Sequence, residues 1–292
     1  MNIKIASAQY DISFLKNWQQ YQDKVERWVD EAVQQEAKIL LFPEYASMEL
    51  ASLFSKAVYS SLSEQLVAMQ PLLEDYLRLF YGLAKKYQCI IQPGTFPVKI
   101  ASGAYRNRAY LFMPGQYDYQ DKLMMTRFEN ERWLIQHGEH LKCFDTEYGK
   151  IAINICYDSE FPLLARKQVE AGAKLILVPS CTDTLAGFHR VKIGCQARAL
   201  ENQCFVVQAS LVGDAPWSEA VDVNVGAAAI YTPVDRGFPD NGILAEGKLN
   251  AVQWVVADLS LSACETVREQ GQVFNYRDWP LHETFQLRGS KE

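Results

Sequence analysis

The chain lacks several features that would mark specialised classes of protein. Its 292 residues contain no apolar run near the roughly 18 residues that a membrane span needs. The net charge is −6 and no basic stripe occurs, which argues against a protein that binds nucleic acid backbones. Linkers rich in Pro, Gly or Ser, low-complexity segments and clear repeats are also missing. These absences predict an ordinary globular protein with neither a membrane nor a nucleic acid as partner.

Cysteine is present in an odd number, seven, and no C-x-x-C pair occurs. Most of the cysteines lie inside apolar runs, which is typical of free, buried thiols in a reducing compartment. The N-terminal residues 3–9 alternate like a strand and are too short and too polar for the apolar region of a signal peptide. The sequence therefore predicts a cytoplasmic location.

Histidine is scarce, with four in the whole chain. His137 and His140 have a spacing that can serve a zinc site, but the glycine between them is a poor helix former and no third ligand pattern lies nearby. We therefore expect no metal and no cofactor. Activation of a cysteine by one of these histidines remains an alternative, although no local signature supports it.

Strands and helices alternate along the chain. Apolar residues recur at helical spacing from residue 18 and across 62–87, with a restart at Pro71, and further helices are predicted at 162–171 and 189–202. Short apolar or alternating runs predict strands at 3–9, 38–42, 89–96, 108–113, 116–122, 150–156, 175–178, 204–209, 226–231 and 252–259. This alternation predicts an α/β fold. We expect one domain over 1–260, followed by a C-terminal tail over 261–292.

Three residues that can carry chemistry lie at the ends of predicted strands. Glu44 comes directly after a buried strand and a proline, where open α/β sheets build their sites, although a solvated turn residue is equally ordinary there. Cys156 lies between a strand and a helix, the arrangement of a nucleophile elbow, which leaves backbone N–H groups free to hold an oxyanion. A free cysteine is otherwise most often structural, and Lys122 alone would be read as a surface residue.

Taken together, these positions resemble the Glu–Lys–Cys triad of the nitrilase (carbon–nitrogen hydrolase) superfamily. Lys122 follows Glu44 by 78 residues, and Cys156 follows Lys122 by 34. The matching motifs are Phe42-Pro43-Glu44, Asp121-Lys122-Leu123, Cys156-Tyr157-Asp158 with Phe161-Pro162, and the run from Arg198 to Gln203. The resemblance covers about 3–259. It implies a four-layer α-β-β-α sandwich, with two mixed sheets flanked by helices.

The resemblance also implies an activity. That activity is cysteine-dependent hydrolysis of a non-peptide C–N bond in a small linear amide or N-carbamoyl compound, through a thioester on Cys156. Tyr157-Asp158 after the cysteine is similar to the amidase and carbamoylase branches, whereas nitrilases usually carry Trp-Glu. Nitrile hydrolysis by the same triad stays an alternative, as does a catalytically silent binding or scaffold protein. Glu160 stands where many relatives carry Arg, which leaves the preferred substrate charge open.

The resemblance and the position of one loop indicate further site residues. Glu129 best matches the family's second glutamate, and Glu131 is an alternative. Tyr157 would supply an oxyanion N–H. The loop after strand 175–178 would border the pocket, which makes Asp183 and His189 candidate substrate-binding residues, although a plain surface loop is equally ordinary.

Two further segments carry expectations about motion and assembly. Residues 213–217 are interpreted as a mobile loop that gates access, although a plain surface loop is at least as ordinary there. The resemblance implies a homodimer or larger homo-oligomer. The aromatic tail either forms an interface arm or packs on its own core; its residues are Phe274, Tyr276, Trp279 and Phe285.

Overall fold

The computed structural model describes residues 2–288, in which fifteen β-strands and eight α-helices occur. The strands are β1 (Asn2–Asp11), β2 (Ile39–Phe42), β3 (Ile90–Pro93), β4 (Thr95–Lys99), β5 (Tyr105–Met113), β6 (Gln116–Asp121), β7 (Ile135–Gln136), β8 (Cys143–Thr146), β9 (Gly149–Ile153), β10 (Leu175–Ser180), β11 (Phe205–Asp214), β12 (Val223–Asn224), β13 (Ala229–Tyr231), β14 (Ile243–Glu246) and β15 (Gln253–Ser260). The helices are α1 (Trp18–Gln34), α2 (Lys56–Tyr59), α3 (Leu62–Met69), α4 (Leu73–Tyr87), α5 (Pro162–Glu170), α6 (Leu185–Asn202), α7 (Leu261–Gln270) and α8 (Asn275–His282).

The sheet strands run in the order β4-β5-β3-β2-β1 and then β11-β10-β9-β8. The two halves of the sheet meet at β1 and β11, which pair in parallel over three residue pairs, so the hydrogen bonding is continuous. Buried side chains from strands of both halves also share one core. Side chains of β1 and β2 alternate between the two cores. Ile5 and Leu41 face the core shared with the second half, whereas Ala6 and Leu40 face α1 and α4. Helices α5 and α6 cover the other side. The predicted α/β fold with flanked mixed sheets is confirmed.

Local sequence explains where the first helices begin and break. The Asn17 side chain accepts a hydrogen bond from Gln20 N at 3.0 Å and caps α1 at the predicted start. Pro71 interrupts the second helical pattern as predicted, because proline has no N–H to donate. The chain makes a short 3-10 turn over Gln70–Leu72 between α3 and α4.

The predicted strand 89–96 is wrong in extent, because it divides into β3 and β4 at Gly94. This glycine has a φ of +81°, and a Cβ there would lie 2.0 Å from the carbonyl oxygen of Pro43. The bend brings Thr95 beside Tyr45, whose N–H donates to Thr95 Oγ1 at 2.9 Å. Glycine at this position therefore lets the chain close around the segment that carries Glu44.

Several elements were missed or misplaced. Strands β7, β8 and β14 are too short or too polar to show a clear pattern, and α7 and α8 lie in the predicted tail. Helix α6 begins at Leu185 rather than at residue 189, because Thr184 Oγ1 accepts from Gly187 N at 3.1 Å and caps it earlier.

The tail packs in part on its own chain. Tyr276 donates its backbone N–H to Gln203 Oε1 at 3.1 Å, and the Arg268 guanidinium lies 4.1 Å from its ring centre. Phe285 is exposed, and 289–292 of the predicted tail lie outside the described residues. Across residues 2–288, no helix is both long and apolar enough to cross a membrane.

Candidate active site

Three loops that follow sheet strands bring Glu44, Lys122 and Cys156 to one place. Glu44 follows β2, Lys122 follows β6, and Cys156 follows β9 after two residues. All three side chains are almost fully buried, at 1%, 1% and 4% exposure. They line the base of one cavity of about 470 Å³. The cavity lies at the strand ends, as the sequence predicts.

The centre of the site is a buried cluster of two carboxylates and one ammonium, which we call the carboxylate–lysine cluster (Glu44, Lys122 and Glu129). Lys122 Nζ donates to Glu44 Oε1 at 2.8 Å and to both oxygens of Glu129 at 2.8 and 2.6 Å. Glu131, the alternative, is exposed and pairs with Arg127. The structure therefore places Glu129 beside Lys122.

Burial and neighbouring charges shift the pKa of each group in the carboxylate–lysine cluster. Burial alone would lower the pKa of Lys122, but Glu129 and Glu44 raise it well above its ordinary value, so the ammonium persists. Burial pushes the pKa of Glu129 upward, yet Lys122 and several donors outweigh it and the net pKa is lowered. Burial raises the pKa of Glu44. Lys122, which Glu44 shares with Glu129, lowers the pKa but compensates only in part. The two carboxylates are thus held at different proton affinities.

Cys156 lies at a strained turn. Its φ is +48°, a left-handed conformation that non-glycine residues rarely adopt, and it opens a 3-10 helix over Cys156–Glu160. Burial raises the pKa of its thiol well above the ordinary value, and the Glu44 charge adds to this. The thiol therefore keeps its proton in the resting site. Its Sγ contacts the carbonyl oxygen of Cys181 at 3.6 Å.

Asp158 joins the cysteine turn to the lysine loop, a role that sequence reasoning missed. Its carboxylate accepts from Met124 N at 2.7 Å, from Leu123 N at 3.1 Å and from Ile155 N at 3.1 Å. These bonds fix the segment after Lys122 against the segment before Cys156. Asp158 lies inside the quoted Cys-Tyr-Asp motif, but nothing in its spacing indicates which backbone groups it binds.

We expect Asp158→Ala to lower the free energy of unfolding by about 2–4 kcal/mol, since it leaves three backbone N–H groups without their acceptor. Urea denaturation measures the change. Asp145→Ala is the matched control, because that side chain is 85% exposed and its nearest cation, Lys150, lies 3.9 Å away. An equal, small effect in both variants would show that Asp158 does not hold the two loops together.

The motif that runs from Arg198 to Gln203, just before β11, has a structural role near the turn at Cys156. Arg198 Nη1 donates to the carbonyl oxygen of Ser159 at 3.1 Å. A Cβ on Gly194 would lie 3.0 Å from the same oxygen, so α6 packs directly on the 3-10 helix of Cys156. Helix α6 thereby supports the strained turn from behind.

The other candidate residues have mixed outcomes. Tyr157 and Asp183 line the cavity, but His189 is exposed and is not among the lining residues; its neighbour Arg190 is. His189 is therefore wrong as a pocket residue, because the earlier start of α6 turns it away from the cavity. None of the four histidines, all within the described part of the chain, lines the cavity.

Two further expectations concern the loop and a metal site. Residues 219–223 form part of the cavity wall, whereas 213–217 are not among the lining residues. Trp217 packs against Phe14. Among residues 2–288, no group of three or more His, Cys, Asp or Glu side chains has an arrangement that could hold a metal ion.

Comparison with known proteins identifies the family and supports the fold. The family model described as "Carbon-nitrogen hydrolase" matches residues 4–269. The Bacillus subtilis protein named "Probable hydrolase YhcX" is 36% identical over 277 residues, which cover 94% of this chain and 53% of that protein. Deaminated glutathione amidase of Dictyostelium discoideum is 33% identical over 151 residues, covering 51% of this chain and 48% of that protein. The chain spans about half the length of these two relatives.

Solved structures show the same fold. A CN-hydrolase superfamily protein from Xanthomonas campestris has a TM-score of 0.77 at 20% identity, and the match covers 99% of this chain and 100% of that one. An amidase from Nesterenkonia sp. AN1, with acrylamide added at its active-site cysteine, has a TM-score of 0.70 at 20% identity, covering 95% and 99%. The family model spans nearly the whole chain, and we conclude that this protein belongs to the carbon–nitrogen hydrolase (nitrilase) superfamily.

Proposed function

We propose that this protein hydrolyses the carbon–nitrogen bond of a small linear amide or N-carbamoyl compound, with Cys156 as the nucleophile. The observation that carries the proposal is the buried contact of Lys122 with Glu44 and Glu129 at the base of the cavity that exposes Cys156. Family membership supports it, as do relatives named amidases.

The two carboxylates suit different tasks. Pairs of acids whose pKa values are pushed apart commonly divide the roles of base and permanent charge. Glu44, with its raised pKa, is the better proton acceptor near neutral pH. Glu129, with its lowered pKa, stays ionised and holds the Lys122 ammonium in place. We therefore assign Glu44 as the general base and Glu129 as the supporting charge.

The first half of the reaction forms a thioester. Glu44 takes the proton of the Cys156 thiol as the sulfur attacks the carbonyl carbon. Protonation of Glu44 removes the negative charge that attracts Lys122. The Lys122 ammonium can then turn toward the oxyanion that develops on the substrate. Tyr157, in the first turn of the 3-10 helix, supplies a backbone N–H beside it. One such donor contributes about 10²–10³ in rate.

The second half releases the acid. Protonated Glu44 gives its proton to the departing ammonia or amine, and the C–N bond breaks to leave an acyl group on Cys156. Water then attacks the thioester while Glu44 removes its proton, and that proton returns to sulfur as the acid leaves. Positioned acid–base groups of this kind contribute about 10²–10⁴ in rate.

The cavity supports a small-molecule substrate. Its volume of about 470 Å³ lies within the usual range for ligand pockets, about 300–1,000 Å³. Glu160 and Arg190 form a loose pair at the wall, with 3.6 Å between Oε1 and Nε. Burial raises the pKa of Glu160, and Arg190 opposes that shift. The wall thus offers both signs of charge to the part of the substrate that does not react.

Ammonia release from matched compounds tests the proposal. An amide, an N-carbamoyl amine and a nitrile of the same carbon skeleton are compared at equal concentration. We expect kcat/KM for the amide or carbamoyl compound to exceed that for the nitrile by about tenfold or more, an increase worth about 1.4 kcal/mol in transition-state binding. Faster release from nitriles would favour the nitrilase alternative. Absence of turnover across a broad panel, with Cys156 reacting no faster than the other cysteines toward iodoacetamide, would favour the silent scaffold.

A further inference from the structure

Asn107 contacts all three members of the carboxylate–lysine cluster, although no catalytic motif of the sequence includes it. It lies on β5 and is fully buried. Its Nδ2 donates to Glu44 Oε1 at 2.7 Å and reaches Glu129 Oε1 at 3.3 Å. Its backbone carbonyl oxygen accepts from Lys122 N at 2.8 Å. A single neutral side chain thus bridges the two carboxylates, and its backbone positions the lysine.

The orientation of this amide is dictated by its neighbours. Rotating it by half a turn would place the Oδ1 oxygen against two carboxylate oxygens, where acceptors repel one another. In the orientation that satisfies the carboxylates, Oδ1 has no hydrogen-bond partner among residues 2–288. A buried acceptor without a partner lowers stability, so packing alone gives no reason for an asparagine here. The donated hydrogen bonds are the gain that offsets this loss.

The groups around Glu44 determine how the hydrogen bond from Asn107 affects its ionisation. Lys122 and Glu129 face it as charges, the Cys156 thiol lines the same cavity, and Cys181 N donates to its Oε2 at 3.1 Å. Burial and Glu129 favour the protonated acid, whereas Lys122 favours the carboxylate. Hydrogen bonds donated to a carboxylate also favour its ionised form in general. The Asn107 amide bonds to Oε1, the same oxygen that Lys122 contacts, which leaves Oε2 toward Cys181.

We propose that Asn107 is a positioning residue that holds the ionised Glu44 carboxylate against Lys122, so that Glu44 is ready to accept the Cys156 proton. The chemical role of that proton transfer rests on the proposed function, but the reactivity of the thiol can be measured without turnover. In the proposed mechanism a proton passes between Cys156 and Glu44, so the two groups titrate as a pair. Loss of the Asn107 donor destabilises the ionised form of the pair, so a higher pH is needed to reach it.

The experiment follows the alkylation of Cys156 by iodoacetamide as a function of pH, with the modified peptide quantified by mass spectrometry. Asn107→Leu removes the donor at similar volume, and Asn202→Leu is the matched control. Asn202 is also fully buried, donates to Arg198 O and has an unpartnered Oδ1, but it lies at the far end of α6. We expect the midpoint of the acid limb to rise by about 1 pH unit in Asn107→Leu and to stay unchanged in Asn202→Leu.

Further readouts separate positioning from a merely structural role. Asn107→Ser avoids any steric clash, and its hydroxyl is too short to bridge both carboxylates, so its midpoint should rise as well. With an amide that the protein hydrolyses, kcat should fall while KM changes little, and the acid limb of kcat/KM should move with the alkylation midpoint. Wild-type midpoints in both Asn107 variants, alongside reduced thermal stability, would overturn the proposal. If no amide is hydrolysed by the wild type and the alkylation midpoint still shifts, the proposed function fails while the positioning role stands.

Discussion

Cys156→Ala is expected to lower kcat/KM by about 10⁵-fold or more, because removal of the nucleophile abolishes the covalent route. Loss of a serine nucleophile in a hydrolase has an effect of this order. The fold should persist, since alanine also fits the turn at Cys156 and the bond from Ser159 Oγ to the Cys156 carbonyl, at 2.7 Å, does not involve the thiol. Ammonia release and thermal melting measure the two properties.

Cys143→Ala is the matched control for that loss. Cys143 is half-buried on β8, and its thiol donates to the carbonyl oxygen of Gln168 at 3.5 Å. Its removal should leave kcat/KM within about a factor of two, as expected for a change away from the reacting atoms. Normal turnover in Cys156→Ala would exclude covalent catalysis at this position, whatever the control shows.

Lys122→Met is expected to cause the second largest loss, both in activity and in stability. The variant keeps the length of the side chain but leaves Glu44 and Glu129 buried without their shared cation. Removing one partner of a buried ion pair typically lowers the free energy of unfolding by about 3–5 kcal/mol. Loss of the ammonium that faces the oxyanion should lower kcat by about 10³-fold. Urea denaturation and steady-state kinetics measure the two effects.

A double variant separates the two effects of this lysine. Lys122→Met combined with Glu129→Gln removes the cation together with one of the carboxylates that needed it, so the unfolding free energy should recover in part. Activity should not recover, because no ammonium faces the reacting carbonyl. Since the residues are in direct contact, their effects should be far from additive. Recovery of activity in the double variant would show that Lys122 serves structure alone.

The positions of the candidate triad could be predicted because each member lies close to the end of a strand that is visible in the sequence. Apolar runs before Glu44 and Cys156 indicate buried parallel strands, and such strands place their carboxyl ends at one edge. The order and spacing of the three residues then resemble one family. The structure places them in one cavity, but their catalytic roles stay predictions that the variants above test.

The rest of the site depends on contacts between distant segments. Asn107 stands in a strand where an inward polar residue gives no hint of its partners 63 and 22 residues away. Asp158 binds backbone N–H groups, which carry no sequence signal. His189 was misplaced because the cap at Thr184 was not recognised, so α6 was predicted to begin four residues late. The break at Gly94 was missed because it depends on a close approach to Pro43.

Mass spectrometry of the protein quenched during turnover tests the central claim most directly. The account predicts an added mass equal to the acyl part of the amide, carried by the peptide that contains Cys156 and labile to hydroxylamine as a thioester is. Glu44→Gln, which lacks the base for the water step, should form the adduct slowly and retain it longer. Sustained amide hydrolysis with no acyl group on Cys156 under any quench time, or with the acyl group on another side chain, would contradict the account.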